Sequence, residues 1–278
     1  MIKRKLKIKF KILLIVLGVF IFTFLCMRFI GTTGLIIREY KIVNKNVPTS
    51  FYGFKVVHFS DLHYGMSVDE NDLKKLVLNI NETKPDIVIF TGDLVDKRKI
   101  EKTDFYNVLV EYLSKIESTY GKFYVSGNHD KELVSFDKIM TASGFISFDS
   151  DFEVISGNNG GDIFLSGVNL DSKDYSYLDD ALKDNNYYKI FVMHYPDNMI
   201  NIKKYKFDLV LAGHSHNGQV RIPFVGEVFK VDNAKKYYDP HYNIDGTDLF
   251  ISGGIGNSGI NLRLNNKPSF NLYRLVNK

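Results

Sequence analysis

The amino-acid sequence predicts an α/β domain of two sheets behind one membrane-spanning helix, and three observations carry that reading. Short apolar runs alternate with stretches of helical period between residues 55 and 212, the pattern of strands joined by helical crossovers. Clusters of His, Asp and Asn close five of those runs. An apolar stretch without an acidic residue follows a strongly basic start.

The first eleven residues carry Lys3, Arg4, Lys5, Lys7, Lys9 and Lys11 and no acid, and 12–27 is apolar apart from Gly18 and Thr23. Arg28 interrupts the run, although 29–37 continues largely apolar. Snorkelling by Lys11 and Arg28 lets a core of this length cross a bilayer. The division expected is a basic cytoplasmic tail (1–11), a transmembrane anchor (12–30), a connector (31–50) and a domain (51–278). A cleaved signal peptide competes, but 23–28 is too bulky for its small-residue cleavage site. Leu25 before Cys26 is likewise too large for a lipoprotein box. The positive-inside rule keeps the tail in the cytoplasm, which makes the chain a single-pass cell-membrane protein with an extracytoplasmic domain. Cys26 is the sole cysteine, so the domain has no disulfide.

Within the domain, 55–60, 87–91, 123–126, 190–193 and 208–212 read as buried strands of one sheet. Helices are expected over 71–81, 104–117, 131–141 and 177–183; the first places Leu73, Leu76, Val77 and Ile80 on one face. After residue 141 the texture changes. A hairpin over 152–155 and 163–168, turning at 157–161, and strands over 219–222, 249–252 and 270–275 supply a second sheet. The stretch 221–245, with Pro223, Gly226 and several tyrosines, reads as an active-site loop region.

The clusters that close the strands are Asp61-Leu62-His63, Gly92-Asp93, Gly127-Asn128-His129-Asp130, Met193-His194 and Gly213-His214-Ser215-His216. They hold five of the seven histidines. Donors at the carboxyl ends of strands are how an α/β fold builds a site. Mixed nitrogen and oxygen donors with a bridging carboxylate suit a pair of divalent cations about 3.5–4 Å apart, and imidazole favours transition metals over magnesium or calcium. An extended i, i+2 pair lets one turn supply two ligands, and Gly92, Gly127 and Gly213 let the backbone turn sharply beside them. Taken singly, each Asp or Asn also reads as a turn former or helix cap; the joint order does not.

That order, D-x-H, G-D-x-x-D, G-N-H-D, a lone His and G-H-x-H, closely resembles the calcineurin-like metallophosphoesterases, from about residue 54 onward. The resemblance implies a four-layer α-β-β-α sandwich of two mixed sheets. It implies one metal on Asp61, His63 and His216, another on Asn128, His194 and His214, and Asp93 bridging, with Mn, Fe or Zn as the two ions. His129 would face the substrate as general acid, oriented and kept basic by Asp130, in hydrolysis of a phosphoester by a shared, acidified water. His58 reads as a core histidine and His241 as a loop residue. Asp96 and Arg98 read as groups that orient ligands or meet a phosphate and, equally, as a solvated loop. The anchor and the stretch from Ser252 through Arg263 resemble a membrane-anchored bacterial branch. This chain lacks the basic residue common there near Gly253, which leaves Arg263 to compensate as a phosphate contact.

The formal charge of +4 comes largely from the tail, without which the remainder is near −2, so no basic face for nucleic acid is indicated, and no protein partner is implied. The substrate expected is a phosphodiester or phosphomonoester, lipid or envelope-linked. The alternatives are a pyrophosphatase of a lipid-linked nucleotide such as UDP-diacylglucosamine, which needs cytoplasmic access, and a non-catalytic metal-dependent scaffold binding a phospholipid or partner.

Overall fold

A computed structural model describes residues 2–96, 98, 105–168, 170, 172, 174–183 and 186–277, with side chains from Lys7 onward. Helix α1 (Ile2–Leu25) runs on through a π-helical turn, Cys26–Ile30. The basic tail is therefore helical and continuous with the apolar segment; the side chains of Lys3, Arg4 and Lys5 lie outside the described residues. The span Lys7–Ile30 contains an 18-residue stretch with a mean hydropathy of 2.6, none of it buried. Length and composition allow it to cross a membrane, as they would a signal sequence. Its end is capped by Thr32 and Thr33, whose hydroxyls donate to the carbonyls of Arg28 and Phe29 at 2.6 and 3.0 Å.

The segment expected as a connector instead carries strand β1 (Ile36–Val43), which pairs in parallel with β14 (Ser269–Val276). Its exposed edge position explains why no apolar run announced it. The first sheet has the order β1-β14-β2-β3-β4-β5, with β2 (Lys55–Phe59), β3 (Ile87–Phe90), β4 (Gly121–Tyr124) and β5 (Phe145–Ser147) parallel and β14 antiparallel to β2. The second, of order β12-β13-β9-β8-β7-β6, contains β6 (Asp151–Ser156), β7 (Asp162–Gly167), β8 (Tyr188–Met193), β9 (Leu209–Ala212), β12 (His241–Ile244) and β13 (Thr247–Ile251).

Three expectations are corrected here. The five motif-bearing strands are not one sheet: β2, β3 and β4 lie in the first and β8 and β9 in the second. Strand β14 belongs to the first sheet, and 219–222 contributes only β10 (Arg221–Ile222) to a separate ribbon with β11 (Gly226–Glu227). Burial pattern marks a strand but not its neighbours, since strands covered on both faces read alike whichever sheet holds them.

The alternation within β2 shows the layering. Val56 faces a core shared with Ile190, Val192 and Leu211 of the second sheet, whereas Val57 and Phe59 face the outer helices. Helix α2 (Glu70–Thr83) buries Leu73, Leu76, Val77 and Ile80 there and starts from a reciprocal cap between Asp69 and Asp72. Helices α3 (Tyr106–Leu113) and α4 (Phe136–Ala142) complete that layer. The start of the helix expected at residue 104 lies outside the described residues, and Leu133 to Ser135 separate α4 from a short 3-10 turn at Asp130–Glu132. On the far face of the second sheet, α5 (Ser176–Ala181) and α6 (Met199–Ile202) cover Phe164, Phe191 and Val210. Four layers result, α-β-β-α.

Candidate metal centre

The carboxyl ends of β2, β3, β4, β8 and β9 converge where the two sheets meet, and the turns after them carry the site. Asp61, His63 and His216 form one group of donors; Asp93, His194 and His214 form another. Asp93 lies between them: its Oδ2 is 3.8 Å from His63 Nε2 and 3.5 Å from His194 Nε2. His216 Nε2 is 3.4 Å from Asp61 Oδ1 and 3.2 Å from His63 Nε2. Asn128 joins the second group, with its Oδ1 3.1 Å from His194 Nε2.

The turns are built differently from the expectation. Asp61, His63, Asp93, His214 and His216 themselves take positive φ, 50°, 45°, 63°, 70° and 48°, so the donor pairs are not extended. Among the glycines, Gly92 shares that conformation with φ 91°, whereas Gly127 serves by size. A Cβ there would strike the Asp93 carboxylate and lie 2.8 Å from the His194 ring.

Hydrogen bonds to the backbone fix the histidine tautomers. A carbonyl oxygen only accepts, so Nδ1 of His194 donates to Thr91 O at 2.6 Å and Nε2 of His214 to Asp232 O at 2.7 Å. At His214 this leaves one unprotonated nitrogen, as a ligand requires, and at His194 it turns Nε2 toward Asp93 and Asn128. Burial depresses His63 and His214 to about 4 and holds His216 well below the usual imidazole range. Burial also opposes a charge on His194, but Asp93 outweighs it and raises that imidazole to about 9. Burial raises Asp61 to about 7. For Asp93 burial pulls upward too, yet His194, with His63 and His129 beyond it, keeps the carboxyl well below its ordinary range.

Imidazoles gathered around two buried carboxylates, with no Lys or Arg in contact among the described residues, are a donor set suited to divalent cations. The facing Nε2 atoms of His63 and His216 point the same way. The residues present fit two ions.

Asp130, expected to orient His129, is buried and its carboxylate binds backbone N–H groups. Its Oδ2 accepts from the backbone N–H of Asp93 and Gly127, both at 2.7 Å, and its Oδ1 from that of Leu94 at 2.8 Å. The carboxylate braces the turns after β3 and β4. His129 is held through its backbone, whose N–H donates to Asp93 Oδ1 at 2.8 Å, and its ring packs edge-on to His63 with centroids 4.6 Å apart. The ring lines a cleft of about 350 Å³ with Asp93, Asn128, His214 and His216.

Asp96 is buried with its Oδ2 3.7 Å from His63 Nδ1, and Arg98 forks onto both its oxygens at 2.7 Å. The Arg98 bonds outweigh burial and lower the Asp96 carboxyl. The pair faces the Nδ1 edge of His63 without hydrogen-bonding to it. Arg263 is also corrected: it is fully buried and its guanidinium donates to Asn257 Oδ1 and to the carbonyls of Gly253, Gly254, Gly256 and Asn266, so it reaches no substrate. It shapes a loop that backs the site, where a Cβ on Gly254 would lie 2.7 Å from His216 Nδ1. His58 is a core residue, 2.8 Å from Thr91 Oγ1, and His241 pairs with Asp248 away from the cleft. No sequence signal marks Thr91 or Asp232, which act through carbonyls that any residue supplies.

The sequence pattern of the calcineurin-like phosphoesterases matches residues 54–218, which contain every one of these donors. The chain belongs to that family. It is 30% identical over 243 residues to the metallophosphoesterase YkuE of Bacillus subtilis (strain 168), covering 85% of this chain and 84% of that protein. It is 24% identical to the phosphodiesterase YaeI of Escherichia coli (strain K12), covering 80% and 82%. It is 24% identical to the UDP-2,3-diacylglucosamine pyrophosphatase LpxG of Chlamydia muridarum, covering 62% and 66%. As a calcineurin-like phosphoesterase the chain is a phosphoester hydrolase of the dinuclear metal class, and its fold is the two-sheet sandwich the sequence led us to expect.

Proposed function

We propose that this phosphoesterase hydrolyses a phosphodiester or phosphomonoester of the cell envelope from the outer face of the membrane, anchored by α1. The observation that supports the site assignment best is the position of Asp93 between two donor groups, within 3.8 Å of His63 and 3.5 Å of His194. On this reading Asp61, His63 and His216 hold one ion, Asn128, His194 and His214 the other, and Asp93 both. The ions, when bound, supply Lewis-acid charge and acidify water.

The chain's own residues do the rest. The water oxygen adds to phosphorus as the ester P–O bond breaks, and His129 passes a proton to the leaving oxygen. Asp130 keeps the His129 turn and the Asp93 turn in register. Asp96, paired with Arg98, faces the His63 ring.

The similarity to LpxG favours a second reading, a pyrophosphatase of a lipid-linked nucleotide, which requires the cleft to face the cytoplasm. Purified full chain supplied with manganese separates the classes: hydrolysis of an aryl phosphodiester is expected, and a metal-loaded protein without turnover would reduce the role to binding. A reporter active only outside the cytoplasm, fused after Lys278, is expected to be active. Activity of a cytoplasmic reporter there would favour the nucleotide-lipid substrate instead.

A further inference from the structure

Beside the cleft stands a small apolar prong that the hydrolytic chemistry does not use. The β10–β11 ribbon turns through Pro223, Phe224 and Val225, with Val225 N–H donating to Ile222 O at 3.1 Å. Phe224 is fully exposed and Val225 is 73% exposed. Phe224 also holds φ 67°, the left-handed region where a turn ordinarily places glycine or asparagine. A bulky aromatic is thus kept in a strained conformation at the outermost point of a turn, where none of the described residues covers it.

Further apolar side chains follow in the segment after the ribbon and in the cleft wall. Phe229, Val231 and Ile260 are also exposed and form a wall of the cleft that holds His129 and His214.

The membrane helix ends at the base of the prong. Arg263 N–H donates to Met27 O at 3.1 Å, and Gly31 leaves no room for a Cβ against the Arg263 carbonyl. The next residue, Leu264, accepts from Arg221 N–H at 3.0 Å and donates to Gln219 O at 3.3 Å. One short segment therefore touches the end of the bilayer helix on one side and the first strand of the prong on the other. The ribbon and the helix end are continuous, with no flexible spacer between them.

We propose that Phe224 and Val225 insert into the bilayer beside α1 and set the mouth of the cleft at the membrane surface. The substrate is then a phosphoester whose hydrocarbon part is embedded in the same leaflet, its chain lying along Phe229, Val231 and Ile260. This rests on the anchored phosphoesterase reading above and adds the substrate class to it. The reaction is unchanged: water oxygen bonds to phosphorus, the ester P–O bond breaks and the proton goes to the released oxygen.

The sequence contains no tryptophan, so Phe224→Trp in the full chain introduces a single fluorescent probe. In phosphatidylglycerol vesicles its emission is expected to be blue-shifted and quenched by brominated acyl chains. Unquenched emission overturns the proposal, and a shift that depends on protein density without quenching assigns the prong to a second copy instead. The substrate arm compares hexadecyl nitrophenyl phosphate in those vesicles with soluble ethyl nitrophenyl phosphate. Phe224→Asp is expected to lose about tenfold or more on the embedded ester and to keep wild-type activity on the soluble one. Equal rates for variant and wild type on both esters contradict it. Absence of wild-type activity on the soluble ester, with manganese present, is a failure of the phosphoesterase reading and leaves the fluorescence to decide insertion.

Discussion

Asp61, His63, Asp93, His214 and His216 each hold a left-handed backbone although none is glycine, and such positions cost about 1 kcal/mol or more apiece. The surrounding bonds enforce them: Asp61 N–H donates to Gly92 O at 2.8 Å, and His63 N–H to Asp93 O at 3.1 Å. The gathering of these side chains was legible in the sequence because few roles demand His and Asp in that order at strand ends. Their conformation was not, since the neighbouring glycines suggested that glycine alone made the turns. The bracing role of Asp130 was hidden for a similar reason: adjacency to His129 pointed to the ring, whereas the buried carboxylate also accepts from three backbone N–H groups. His129, held through its backbone over the cleft, is expected to act on the leaving group rather than on the metals. His129→Ala should keep full metal content and lose about 10² or more on an alkyl ester, with a much smaller loss on a nitrophenyl ester of the same phosphate. Equal losses on both esters would remove it from that role.

At the scale of elements, the apolar runs of β2, β3, β8 and β9 showed in the sequence because both faces are covered. Strand β1 did not, because most of it is exposed at the sheet edge. Long-range pairing was invisible too: nothing local says that β14 returns to lie between β1 and β2. The loop from Ser252 to Arg263 shows how far apart cause and effect can lie. Arg263 gathers the carbonyls of Gly253, Gly254 and Gly256, and Gly254 packs on His216. A lysine has three donors on a point charge and cannot reproduce the planar fork. Arg263→Lys is therefore expected to weaken metal binding by about tenfold or more, the scale of a lost supporting contact, as measured by competition with a chelator. Unchanged metal affinity in a folded Arg263→Lys variant would show that the loop needs no such brace.

For the whole molecule, two sheets meet at their carboxyl edges and pool donors that neither holds alone, while the end of α1 abuts the loop that backs them. The architecture was readable from alternation and motif order; the direct seat of α1 on the domain was not, because its contacts are backbone atoms of Met27, Gly31 and Arg263. The central claim is that Asp93 holds two ions at once, and a neutral amide there cannot offset two adjacent dications. The most direct measurement is metal content, with turnover of an aryl phosphodiester, for wild-type and Asp93→Asn full chains loaded with manganese and freed of excess. Two ions per wild-type chain, and one or none with almost no turnover in the variant, are the predicted result. Two full equivalents retained by Asp93→Asn would contradict it.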